Sequence, residues 1–175
     1  LDTAYYGYAN GRRLWERDAV GRWTWHAYDS RGFDYLRVVL AKGHEPDTTA
    51  GTYTVQTGDQ VTRTQHDHAG NLRRVWKGEW LATSTVDNLP LVRATGYYPS
   101  GRVKADSIPT VYAQDKWLVT DYEWLKTGEL SKTTRTGGMV SEHRYNARGQ
   151  KIAELALNSA GTLDTTRTWS YFDNG

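Results

Sequence analysis

Apolar and polar residues alternate with a period of two along much of this chain. In the run from Trp117 to Trp124, Leu118, Tyr122 and Trp124 fall on one face, while Asp121 and Glu123 fall on the other. The run Thr165 to Tyr171 sets Trp169 and Tyr171 opposite a row of Thr and Ser. Successive side chains of a strand point to opposite faces, so this alternation predicts half-buried strands. Their Val, Thr, Tyr and Trp content suits a pleated surface. Only Lys151 to Asn158, with Ile152, Ala153, Leu155, Ala156 and Leu157, carries enough apolar residues for two helical turns, and its place directly after a turn motif favours a strand. The prolines at 46, 90, 99 and 109 fall in loops or at strand ends. The stretch Lys42 to Gly51 reads as a flexible loop.

The strands are punctuated by a recurring pentapeptide, an aromatic residue four places before a glycine. It occurs as Tyr28-Asp29-Ser30-Arg31-Gly32, Tyr97-Tyr98-Pro99-Ser100-Gly101, Trp124-Leu125-Lys126-Thr127-Gly128, Tyr145-Asn146-Ala147-Arg148-Gly149 and Tyr171-Phe172-Asp173-Asn174-Gly175. His66-Asp67-His68-Ala69-Gly70 has His in the aromatic place, and Tyr8-Ala9-Asn10-Gly11 is one residue shorter. Asp, Asn or Ser near the start of such a tip can bond its own backbone, and Gly supplies positive φ. The aromatic is expected to cap the sheet edge. Gly51, Gly58, Gly78, Gly137-Gly138 and Gly161 mark the opposite turns. Residues 1–175 therefore read as one all-β domain of consecutive antiparallel β-hairpin repeats, about seven degenerate units with uneven spacing.

Composition sharpens this picture. The chain has 8 Trp and 12 Tyr against 2 Phe and 1 Met, so most of its rings carry a polar handle and suit a thin sheet with a half-wet face. The formal net charge is only +2, with both signs interspersed. No basic stripe of the nucleic-acid-binding kind is present, and no nucleic-acid partner is expected. Absence of cysteine excludes disulfides, thiolate nucleophiles and Cys-type metal centres. No segment is long and apolar enough for a membrane span. The chain starts at Leu1, which suggests processing or trimming, and a lipid anchor on a removed N-terminus is one form this could take.

Candidate chemistry is sparse. His66-x-His68 would point two imidazoles the same way on a strand, but zinc needs at least a third ligand and none has recognisable spacing. Asp121 and Glu123 share a strand face, as carboxylates do wherever a strand has a wet side. His26, His44 and His143 show no triad pattern, and no nucleophile elbow or phosphate loop is present. The protein is thus not expected to be an enzyme, and no catalytic, metal or cofactor residues are assigned. Most Trp residues should pack the sheet; any left exposed would be natural interface anchors together with Arg. Trp23, Trp25, Arg73, Trp76 and Trp80 are the partner-binding candidates, with Trp23 and Trp25 on one face.

The unit Tyr97-Tyr98-Pro99-Ser100-Gly101-Arg102-Val103-Lys104 resembles the YwqK-type antitoxin repeat, a bacterial variant of the MORN repeat, and the units at Tyr145 and Tyr171 resemble it more loosely. This resemblance implies an elongated, curved sheet of hairpins. It also implies an immunity protein that binds and occludes a cognate secreted toxin, such as a type VI secretion phospholipase effector, in the periplasm. The tip Tyr28-Asp29-Ser30-Arg31-Gly32 also resembles the Tyr-Asp repeat of Rhs proteins, which form long shells; on that reading the chain is a fragment of an Rhs-type shell. A carbohydrate- or peptidoglycan-binding module with exposed Trp platforms is a further alternative.

Overall fold

In the computed structural model the described residues are 5–85, 88–110, 116–158 and 160–172. They form thirteen strands: β1 Tyr5–Ala9, β2 Arg12–Arg17, β3 Trp23–Tyr28, β4 Asp34–Val39, β5 Gln60–His66, β6 Leu72–Glu79, β7 Leu91–Tyr97, β8 Val103–Pro109, β9 Trp117–Trp124, β10 Leu130–Arg135, β11 Met139–Tyr145, β12 Lys151–Leu157 and β13 Leu163–Thr168. They are hydrogen-bonded in sequence order, antiparallel, in one open sheet, and no helix occurs among the described residues. The ambiguous segment 151–157 is a strand, as its place after a tip predicts. Trp169 and Tyr171 lie just past the end of β13. Of the last tip, Asp173, Asn174 and Gly175 lie outside the described residues.

The chain divides into two compact units, Leu1–Ala94 and Thr95–Gly175, with the division inside β7. The first holds nearly all of the core. Leu36, Val38, Leu40, Val61 and Leu89 are buried together, and Trp23, Trp25, Ala27, Tyr53, Val55, Trp76 and Trp80 pack around them. Register explains the grouping: Trp25 opposes Val38, Ala27 opposes Leu36, and Val38 opposes Val61. One face of β3, β4, β5 and β6 is therefore largely apolar, with Arg63 standing between Leu36 and Trp76 and its guanidinium 4.8 Å from the Trp76 ring centroid. Two connections contribute side chains to the core, 40–59 through Tyr53 and Val55, and the one after β6 through Leu89. Gly78, opposite Val61, leaves room for this, because a Cβ there would sit 3.2 Å from Pro90. The stretch expected as a flexible loop is thus held by its own hydrogen bonds. Asp47 and Thr52 exchange backbone bonds, the Asp47 carboxylate accepts from the N–H groups of Thr49 and Ala50, and the Trp25 indole donates to the Gly51 carbonyl.

The second unit has a thinner interior. Leu155 is its one buried apolar residue among those described, and Thr95 is buried with its hydroxyl donating to Asp106 at 3.0 Å. Half-buried aromatics stand in for a core here, as the Trp- and Tyr-rich composition leads one to expect. Lys151 Nζ lies 4.8 Å from the Trp169 ring centroid.

Candidate functional site

Apart from the short tip at Asn10-Gly11, the fully described tips share one backbone geometry. At Asp29, Asp67 and Asn146, three residues before the tip glycine, the backbone N–H bonds the carbonyl four residues on, and the glycine N–H returns to the carbonyl of the Asx residue. The Asx side chain then accepts two further N–H groups, from Arg31 and Phe33, Ala69 and Asn71, and Arg148 and Gln150 respectively. The glycines have φ of +93°, +87° and +75°, a region where only Gly is unstrained. These bonds hold the carboxyl of Asp67 below the usual carboxylate range, the Asn71 N–H contributing most. Asp18 with Gly21 and Asn158 with Gly161 build the same turn at the opposite end of the strands, without an aromatic before them. The short tip Asn10-Gly11 has positive φ at both residues, the two-residue hairpin loop whose twist matches that of its strands.

The aromatic at four of the tips does something the linear pattern does not reveal. The Tyr28 hydroxyl donates to the Arg13 carbonyl at 2.8 Å, the Trp124 indole N–H to Val103 at 2.7 Å, the Tyr145 hydroxyl to Leu130 at 2.8 Å, and the Tyr171 hydroxyl to Lys151 at 2.8 Å. Each acceptor stands two residues past the preceding tip glycine: Gly11, Gly101, Gly128 and Gly149. The ring therefore ties its own tip to the start of the preceding strand. At the tip where His replaces the aromatic, the corresponding carbonyl is Asp34, and the Thr64 hydroxyl donates to it instead. His66 stacks on Phe33 with centroids 4.8 Å apart.

A second link runs the other way. The residue just past one tip glycine lies over the next tip glycine: Arg12 over Gly32, Phe33 over Gly70, Arg102 over Gly128 and Glu129 over Gly149. The Arg12 and Arg102 guanidinium groups also stand 5.7 and 5.9 Å from the ring centroids of Tyr28 and Trp124. The tips of each unit thus form a ladder of neighbour-to-neighbour contacts.

Of the partner-binding candidates, the structure brings Trp23, Trp25, Trp76 and Trp80 together around the core cluster of the first unit. None of these rings is an exposed platform, and no Trp is among the exposed large apolar side chains of the described residues. Arg73 is not part of this cluster; its charge acts on the Asp67 tip. His66 and His68 belong to no group of three or more potential metal ligands among the described residues. Among the described residues there is also no helix long and apolar enough to cross a membrane, which says nothing of β-barrels.

One polar centre escapes sequence reasoning. Asp59 is fully buried, and its carboxylate accepts four bonds: Ala41 N–H at 2.8 Å, His44 Nδ1 at 2.8 Å, the Tyr53 hydroxyl at 2.6 Å and Gln56 N–H at 2.8 Å. Burial alone would raise its pKa, but these donors, Tyr53 foremost, hold it below the usual carboxylate range. The Tyr53 phenol is pushed well above its ordinary value, first by burial and then by Asp59. Nothing in the sequence distinguishes Asp59 from the other acidic residues, since its partners come from a loop without periodicity.

No family model and no curated protein matches the sequence. Solved structures do match in fold. The chain resembles part of the crystal structure of TcdB2-TccC3-TEV with a TM-score of 0.70 at 13% identity, over 98% of this chain and 9% of that one. It also resembles parts of the crystal structure of TcdB2-TccC3-Cdc42 (TM-score 0.51, 12% identity, 92% of this chain and 9% of that one) and of a Photorhabdus luminescens Tc holotoxin pore carrying a TccC3 mutation (0.52, 12%, 96% and 9%). This chain spans about a tenth of the length of each. The shared property is the fold.

Proposed function

We propose that this chain is a stretch of wall in an Rhs-type repeat shell, a structural and non-catalytic role. The observation that carries the reading is the match to TcdB2-TccC3 chains, which are Rhs-repeat shell chains: it runs along 98% of this chain while occupying 9% of the other. The tip ladder supports it, because every link joins a hairpin to its sequence neighbour, and such an array extends by repetition without a central core. The Tyr28-Asp29 tip adds the sequence resemblance. The partner on this reading is the rest of a toxin-type assembly such as the neighbours form. Electron microscopy of the complete natural polypeptide tests it. A hollow wall of hairpins with this segment inside it is expected; a polypeptide with no further hairpins on either side of residues 1–175 overturns it.

The second reading is the periplasmic immunity protein that binds a cognate toxin, favoured by the Tyr97 to Lys104 unit. Its anchoring set is weakened by the packing of Trp23, Trp25, Trp76 and Trp80 against the core. Co-purification with a toxin encoded beside the gene is its test.

A further inference from the structure

Beside the turn between β2 and β3 lies a hollow of about 410 Å³, lined by Arg17, Trp23, Leu40, Lys42, His44 and Glu45 among others. This is within the size range of small ligand sites. Its apolar part is Trp23 with the buried Leu40. Its charged lining is mostly cationic. Arg17 stands 5.3 Å from the Trp23 ring centroid, and Lys42 has no ion-pair partner among the described residues. Arg22 also lines the hollow but is paired with Asp18 at 2.9 Å, so Arg17 and Lys42 face the single carboxylate of Glu45.

The imidazole of His44 is fixed in this lining from behind. Asp59 is an ionised acceptor, so His44 Nδ1 carries the proton in their 2.8 Å bond. Nε2 is left without a partner among the described residues. A fully buried carboxylate with four donors therefore sets the orientation and tautomer of a side chain that borders a cationic, aromatic-floored hollow.

We propose that this hollow is a docking site for a carboxylate-bearing peptide segment, whose acidic group lies between Arg17 and Lys42, whose apolar stem rests on Trp23, and whose backbone N–H donates to the unprotonated Nε2 of His44. Charge complementarity favours an acidic segment, and the Trp23 and Leu40 floor favours a side chain with methylene groups over a bare anion. The site is independent of the shell reading, since it lies wholly within the first unit.

Titration of the isotope-labelled 175-residue chain with acetyl-(Glu)6-amide, followed by NMR, tests this. Saturable shifts confined to the Trp23 indole, the His44 ring and residues 40–45 are expected. The Lys42→Glu variant should bind about tenfold more weakly with unchanged thermal stability, as charge reversal at an exposed rim should alter binding alone. Lys42→Arg should bind as the parent does, and acetyl-(Lys)6-amide should give no shifts. Absence of saturable shifts, shifts spread over other surfaces, an unaltered Lys42→Glu titration, or the same shifts at the same concentrations of inorganic phosphate would each overturn the proposal.

Discussion

The Tyr145 hydroxyl donates to the Leu130 carbonyl at 2.8 Å, and Leu130 stands two residues past Gly128, the preceding tip glycine. Since Tyr28, Trp124 and Tyr171 repeat this bond at the same offset, each ring's hydrogen bond ties its tip to the same position of the preceding strand. Replacing only the hydroxyl isolates the bond. Tyr145→Phe and Tyr28→Phe should each cost about 1 kcal/mol in urea unfolding, the ordinary net value of one hydrogen bond.

The His66 tip offers a rescue. Thr64→Val removes the donor to the Asp34 carbonyl and should cost about 1 kcal/mol. Adding His66→Tyr restores the residue the other tips carry, so the double variant should regain most of that loss. A double variant less stable than Thr64→Val alone would show that the offset rule fails at this tip.

Two tip glycines separate backbone strain from steric conflict. Gly11 has φ of +74° and open space around a Cβ, so Gly11→Ala should cost about 1 kcal/mol from conformation alone. Gly70 has φ of +87°, and a Cβ there would stand 2.7 Å from the Phe33 ring. Gly70→Ala should therefore lose roughly 1–3 kcal/mol more, measured by the same unfolding titration.

Asp59 and Tyr53 bound the pH range of stability from both sides. The folded-state pKa of Asp59 is depressed, so its contribution is present above the unfolded value of about 4 and is lost as pH falls through the folded one. Tyr53 is raised, so its contribution is present below about 10 and is lost as pH rises through the folded value. Melting temperature against pH should fall at both extremes. Asp59→Asn leaves buried donors without a full set of acceptors and should cost about 3 kcal/mol or more.

His143 adds a milder acid sensitivity in the second unit. Burial, and then the charge of Lys151, lowers its pKa, and its Nδ1 is buried without a hydrogen-bond partner. The unfolded chain therefore takes up the proton first, and stability should decline as pH falls from about 6.5 toward the lower folded value. His143→Gln should flatten this part of the profile.

By itself, the sequence determined the strands, their turns and their consecutive order. Alternation with period two and Asx-to-Gly spacing are local properties, and β12 and the Asp29, Asp67 and Asn146 tips form as that chemistry requires. The fate of the aromatics was decided by tertiary structure. Tyr145 looks the same in sequence whether it caps an edge or reaches Leu130, because the acceptor is a backbone carbonyl and carries no side-chain signature. Trp23, Trp25, Trp76 and Trp80 are partly buried because the core cluster they pack against is completed by Tyr53, Val55 and Leu89 from the connections that follow β4 and β6. Asp59 gained its place for the same reason: four donors converge on it only once the connection after β4 is folded, when burial makes every unmet hydrogen bond costly.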